Sequence, residues 1–293
     1  MRYALLALLP VALVHALTGV GLFCSSGYCL AVWQHEAALY GPDGKFLTGW
    51  EFNADLRSGA IGNGMFAVGS EKGTVWVFDF KGNLIKKFSA EYEHNFWPIT
   101  PTDYMLLLGG PKNFTVVGYD AFDGVVSAFD KAGNLLWEVD VDSDVFRASK
   151  LVRYGGYVLF VDVPQNMLVY IKDGQIVRTE SFDHLVGADA CGPYLAVRTT
   201  DYVAVYKGPE LLWQKEMPII ALGKVATVAF SPDCSELAVY EFGFLEGKMM
   251  KVFDVQTGLL EWERKLPFQP IDMGWLGDRL VLMPKYGKLV VAG

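Results

Sequence analysis

AVGSEKGTVWVFD, running from Ala67 to Asp79, is the stretch that decides the fold. Two alternating apolar runs are joined by a Ser-Glu-Lys-Gly turn, the pattern of an antiparallel hairpin. The second run ends on an aromatic, Phe78, followed by an aspartate. Working outward, the same ending recurs at Tyr40, Phe129, Tyr170, Tyr206 and Phe253, in the runs AALY, VSAF, MLVY, VAVY and MKVF. Successive aromatics are separated by 38, 51, 41, 36 and 47 residues, a mean of about 43 that matches one four-stranded propeller blade. A lone blade cannot bury both faces of its sheet, whereas a ring of blades can. The repeat therefore predicts an all-β, seven-bladed β-propeller of four-stranded antiparallel blades, in one domain spanning residues 1–293.

Three further features recur. Tight turns such as Asp130 to Gly133 lead into a last strand whose tryptophan can dock on the next blade, as at Trp137, Trp213 and Trp262. A second-strand signature appears as LAVW (Leu30 to Trp33), LAVR (Leu195 to Arg198) and LAVY (Leu237 to Tyr240). AFSPDCSELAVY, Ala229 to Tyr240, carries a Ser-Pro-Asp turn between first and second strands. The Gly-Ser pair, turn glycine and aromatic-Asp ending of Ala67 to Asp79 resemble the WD-repeat consensus. The G-x-L-L-W endings resemble pyrroloquinoline-quinone-type (quinoprotein) propeller repeats. The resemblance implies a propeller over nearly the whole chain and singles out no subfamily, since no blade has the full Gly-His and Trp-Asp pair. Quinoprotein repeats bring an expectation of quinone-dependent dehydrogenases, but the sequence supplies no matching ligand set, so no cofactor is carried over.

Strand counting places blades at about residues 11–52, 53–90, 91–141, 142–182, 183–218, 219–266 and 267–293. The seventh has three runs only, IDMGW, DRLVLM and KLVVA. An open ring would leave a bare edge, so its fourth strand is expected from residues 2–9. The N-terminal MRYALLALLPVALVHALTG also reads as a secretion signal ending near Ala16. Repeat register favours the strand, because LLALLP occupies the place of WQKEMP and WERKLP. That reading goes with a cytoplasmic protein, and the alternative, residues 1–16 as a signal peptide, with a secreted or cell-surface one. A membrane span is not expected, since the apolar run is short and interrupted by Pro10.

Composition narrows function by exclusion. The chain of 293 residues is 52% hydrophobic and 14% aromatic, with a net charge of −8 and no basic cluster. Nucleic-acid binding, which needs a basic face, is not expected. The four cysteines, Cys24, Cys29, Cys191 and Cys234, match no zinc spacing and are too few for a disulfide scaffold. Turn or buried thiols are the expectation, although a Cys24–Cys29 hairpin disulfide is sterically conceivable and Cys191 and Cys234 occupy similar turns of neighbouring repeats.

Candidate sites lie where the repeat stretches. AEYEHNFWPITP, Ala90 to Pro101, lengthens the 51-residue interval and carries Tyr92, His94, Phe96 and Trp97. EFGFLEGK, Glu241 to Lys248, lengthens blade 6 and carries Phe242 and Phe244. Aromatics mixed with polar groups are the anchors of protein interfaces, and both segments are expected on the loop face that joins blades. Asp140, Asp142 and Asp144 alternate as carboxylates do in calcium loops, but lack the glycine and distal glutamate of such a loop. No nucleophile elbow, phosphate loop or metal-spaced histidines are present. The reading leans away from an enzyme and towards a propeller that holds a protein or peptide partner. The alternative is a secreted or membrane-anchored ligand-binding or quinoprotein-like enzyme propeller.

Overall fold

The computed structural model describes residues 18–89, 104–120, 124–141, 150–218, 227–243 and 247–292. These form seven antiparallel sheets, one after another along the chain, at residues 19–51, 56–89, 104–140, 150–181, 185–216, 228–265 and 270–291. Six have four strands in sequential order and the seventh has three among the described residues. No helix among the described residues is long and apolar enough to cross a membrane. The first strand of each sheet packs against the first strands of the sheets before and after it, and Gly19–Ser25 of blade 1 packs against Pro270–Leu276 of blade 7. The ring is closed: the protein is a seven-bladed β-propeller. Residues 2–9, the expected closing strand, lie outside the described residues. Thr18 makes a bridge to Tyr286, and the Gly19 N–H donates to the Lys285 carbonyl at 2.9 Å.

Burial follows the strand's place in the blade. Second strands such as Met65–Ser70 and Tyr194–Thr199 are buried throughout, because a neighbouring blade covers each face. Fourth strands alternate or lie open, as in Phe46–Glu51, because they form the rim. Core clusters therefore lie between blades. Leu237 and Val239 join the blade 5–6 seam, while Ala238 and Tyr240 join the blade 6–7 seam.

The in-phase aromatics mark a structural event. The pairing of third and fourth strands slips by one residue at Tyr40, Phe78, Phe129, Tyr206 and Phe253, and just after Tyr170. The bulge turns the chain out of the ladder beside a tight turn. In that turn the Asp79 carboxylate accepts from the N–H of Lys81 and of Asn83, both at 2.9 Å. Asp130 repeats the arrangement with Ala132 and Asn134, and Asp254 with Thr257.

The last-strand aromatics dock as their spacing predicts. Trp50 lies against Phe66 and Phe78 of blade 2, and the Trp213 indole donates to the Val255 carbonyl of blade 6 at 2.8 Å. The turn glycine of the next blade makes room for each ring. A Cβ on Gly133, Gly174 or Gly258 would sit 2.7 to 2.8 Å from Phe88, Trp137 or Trp213, respectively. One part of the repeat reading needs correction. LAVW runs one residue out of phase with LAVR: Leu30 and Val32 face blade 2, whereas Leu195 and Val197 face the preceding blade 4.

The cysteines are a second correction, because all four are paired. Cys24 and Cys29 face each other across a hairpin whose two-residue turn, Ser26-Gly27, has φ of 52° and 79°, leaving their Cα atoms 4.2 Å apart. Cys191 ends the first strand of blade 5 and Cys234 lies in the corresponding turn of blade 6. Their separation of 43 residues is one repeat, so adjacent blades bring the Cα atoms to 5.5 Å.

Candidate functional site

Two places could serve a ligand or partner: the central channel and the face carrying the blade-to-blade connections. The channel holds a cavity of about 260 Å³ walled by the first strands of all seven blades. Two first-strand carboxylates are engaged, and one of them, Asp189, lines the cavity. Asp272 accepts the Leu22 N–H at 2.9 Å, tying blade 7 to blade 1. Asp189 accepts the Phe230 N–H at 2.9 Å, tying blade 5 to blade 6, and pairs with Lys150 of blade 4 at 3.6 Å. These side chains act as stitches between blades: each meets a first-strand N–H that the sheet itself leaves unpaired. Sequence reading passed over them, since a lone aspartate in a strand carries no signal until the ring sets its neighbour.

The two faces differ in construction. One carries the turns between first and second and between third and fourth strands, all of two to five residues among the described residues. The other carries the connections between blades, and strand direction assigns to it both stretched segments. Residues 90–103 join the blade 2 strand Leu84–Ser89 to the blade 3 strand Tyr104–Gly110. Residues 244–246 join Glu236–Gly243 to Gly247–Asp254, whose pairing extends to Gly243 opposite Gly247.

Tyr92, His94, Phe96, Trp97 and Phe244 lie outside the described residues. Phe242 is described: it is half-buried against the core between blades 6 and 7. Of the acidic candidates, Asp140 ends the strand Leu135–Asp140, and Asp142 and Asp144 lie outside the described residues. Among the described residues, no group of three or more His, Cys, Asp or Glu is placed to hold a metal.

One acidic group stands out on the turn face. Glu236 has its carboxyl pushed up to about 7, first by burial and then by its hydrogen bond to Glu261 and the charges of Glu261, Asp233 and Asp278. On the connection face the notable group is Arg198, fully buried at the end of its strand. Burial pushes its guanidinium down to about 10, against the pull of Glu241 and Asp201. The signal for it was in the sequence: LAVR puts a charge where the in-phase LAVY puts an aromatic.

The two disulfides fit the secreted alternative better than a cytoplasmic one, because thiols persist in a reducing cytosol. No family model and no curated protein matches the sequence. Among solved structures the chain is similar to virginiamycin B lyase from Staphylococcus aureus, at 12% identity and a TM-score of 0.68 over 94% of each chain. It is also similar to BamB from Moraxella catarrhalis, at 11% identity and a TM-score of 0.59 over 96% of each chain. A third similar structure is the computationally designed Ika8 protein, at 14% identity and a TM-score of 0.59 over 94% of this chain and 96% of that one. At these identities the likeness is one of fold, and it supports the propeller repeat without singling out a subfamily.

Proposed function

We propose that this propeller is a non-enzymatic scaffold that holds a protein partner on its connection face. Tyr92, His94, Phe96, Trp97, Phe242 and Phe244 are its candidate anchors. The observation that carries the reading is the contrast between the faces. Among the described residues the turn face carries short turns of two to five residues, while the strands flanking residues 90–103 and 244–246 end on the other face. Binding surfaces on repeat folds sit where loops depart from the repeat. The engaged first-strand aspartates add support, since their hydrogen bonds serve the ring. The similarity to BamB and to a lyase is one of fold and does not choose between holding and catalysis.

We place the scaffold in an oxidising compartment, on the support of the two disulfides. In that setting residues 1–16 serve as its signal peptide, and mass spectrometry of the native N-terminus should find a chain beginning near Leu17. The binding role is tested by truncation. Trp97→Ala with Phe244→Ala should abolish partner capture and leave the melting temperature within about 2 °C of the parent. Loss of stability equal to the loss of capture would mark both residues as core and overturn the reading.

A further inference from the structure

Arg198 sits at the connection-face end of the blade 5 second strand, Tyr194–Thr199, opposite Gly187 and just past the bulge between Leu185 and Gly187. The same bulge recurs in blades 1, 2 and 7, where the equivalent residues are Val32, Gly69 and Met283. The fold therefore asks for a small or apolar side chain here, and blade 5 supplies a guanidinium. Arg198 has no exposed surface, and its Nε, Nη1 and Nη2 find no hydrogen-bond partner among the described residues. A buried unpaired charge costs several kcal/mol, and a guanidinium carries five donors in a rigid fork.

The groups facing it across the seam are charged. Glu241 of blade 6 is 5% exposed and attracts Arg198. Its Oε2, however, lies 2.5 Å from Lys251 Nζ, so that carboxylate already serves another cation. Asp201, in the turn after Arg198, is exposed and faces His184 at 3.9 Å. The trio of Arg198, Glu241 and Lys251 thus carries one positive charge in excess, and Lys251, with its side chain 21% exposed, brings it to the surface.

We propose that the blade 5–6 seam is a carboxylate-binding site, in which Arg198 receives a single carboxylate bidentately at the connection face. One monovalent anion neutralises the trio, whereas a dianion would meet Glu241. The flat fork of the guanidinium matches a carboxylate's two oxygens. The carboxylate comes either from a small free acid or from an acidic side chain of a bound polypeptide. The site does not depend on the scaffold reading, because either source satisfies Arg198.

The test is a set of thermal melts at fixed pH and ionic strength, with sodium formate replacing sodium chloride in one arm. In another, the peptide Gly-Glu-Gly is compared with Gly-Gln-Gly. At ten times its dissociation constant, the effective probe should raise the wild-type melting temperature by about 2 °C for a chain of this size. A formate response assigns a free acid, and a response to the Glu peptide alone assigns a polypeptide side chain. Arg198→Leu should lose the response, and in chloride alone it should melt at or above the parent temperature, because it removes an unpaired buried charge. Glu241→Gln should bind the effective probe several-fold more tightly, which keeps the test decisive if Arg198→Leu does not fold. The proposal is overturned if neither probe stabilises the parent, if Arg198→Leu responds equally, or if Glu241→Gln leaves affinity unchanged.

Discussion

Removing each disulfide in turn gives two unequal losses that the ring geometry sets in advance. Cys191–Cys234 closes 43 residues, one full blade, and Cys24–Cys29 closes a hairpin of 5. If the crosslink acts by restricting the unfolded chain, loop closure over 43 residues contributes about 4 kcal/mol and over 5 residues about 2 kcal/mol. A chain of 293 residues unfolds with an entropy of about 0.6 kcal/mol/K. Cys191→Ala/Cys234→Ala should therefore melt about 6 to 7 °C below the parent, and Cys24→Ala/Cys29→Ala about 3 °C below. The assay is a calorimetric melt of the three proteins at pH 7, with thiol counting of the unreduced parent beside it. Equal losses, a larger loss from the hairpin pair, or four free thiols in the native parent would refute the reasoning. The last result would also remove the main support for an oxidising compartment.

Other parts of the ring make separate predictions. Gly258→Ala should cost about 2 to 4 kcal/mol, since its φ is +69° and its Cβ would meet the Trp213 ring at 2.8 Å. Gly64→Ala, at φ +79° with nothing within 4 Å, should cost only about 1 to 2 kcal/mol, and chemical denaturation separates the two. Asp272→Ala leaves the Leu22 N–H without its 2.9 Å acceptor at the closure of the ring, a loss of about 1 to 3 kcal/mol read in the same assay. Glu236 is held neutral by its surroundings up to about pH 7, so the stability it permits is full below its unfolded pKa near 4.5 and falls as pH rises through 7. Glu236→Gln should accordingly melt above the parent at pH 8 and level with it at pH 4, and a pH-independent difference would contradict this.

The fold was legible because a propeller repeats its constraints. Tyr40, Phe78, Phe129, Tyr170, Tyr206 and Phe253 recur since each sits at or beside the bulge that ends a third strand, where the chain must turn in the same way. Trp137 and Trp213 were readable as docking residues for the same reason, with Gly174 and Gly258 beneath them. Features that depend on the ring closing were harder to see. Cys191 and Cys234 fall in similar turns of neighbouring repeats, yet that they bond shows only when the adjacent blades are set side by side. LAVW and LAVR look equivalent as strings, yet a one-residue phase difference sends Val32 and Val197 to opposite sides of their blades. Arg198 was visible as a charge in an apolar signature, but its lack of a partner emerges only when blade 6 is set beside it and Glu241 is found with Lys251. The candidate anchors at residues 92–97 rest on an interval that stretches, which marks a departure from the repeat and does not by itself say what the departure is for.

The central claim, that a polypeptide partner lands on the connection face, is tested most directly by hydrogen–deuterium exchange of the chain alone and bound to the partner it captures. The account predicts slowed exchange in residues 90–103 and 241–248, with the turns at residues 41–45, 80–83 and 131–134 unchanged. Protection confined to those turns, with residues 90–103 and 241–248 exchanging as in the free chain, would contradict it.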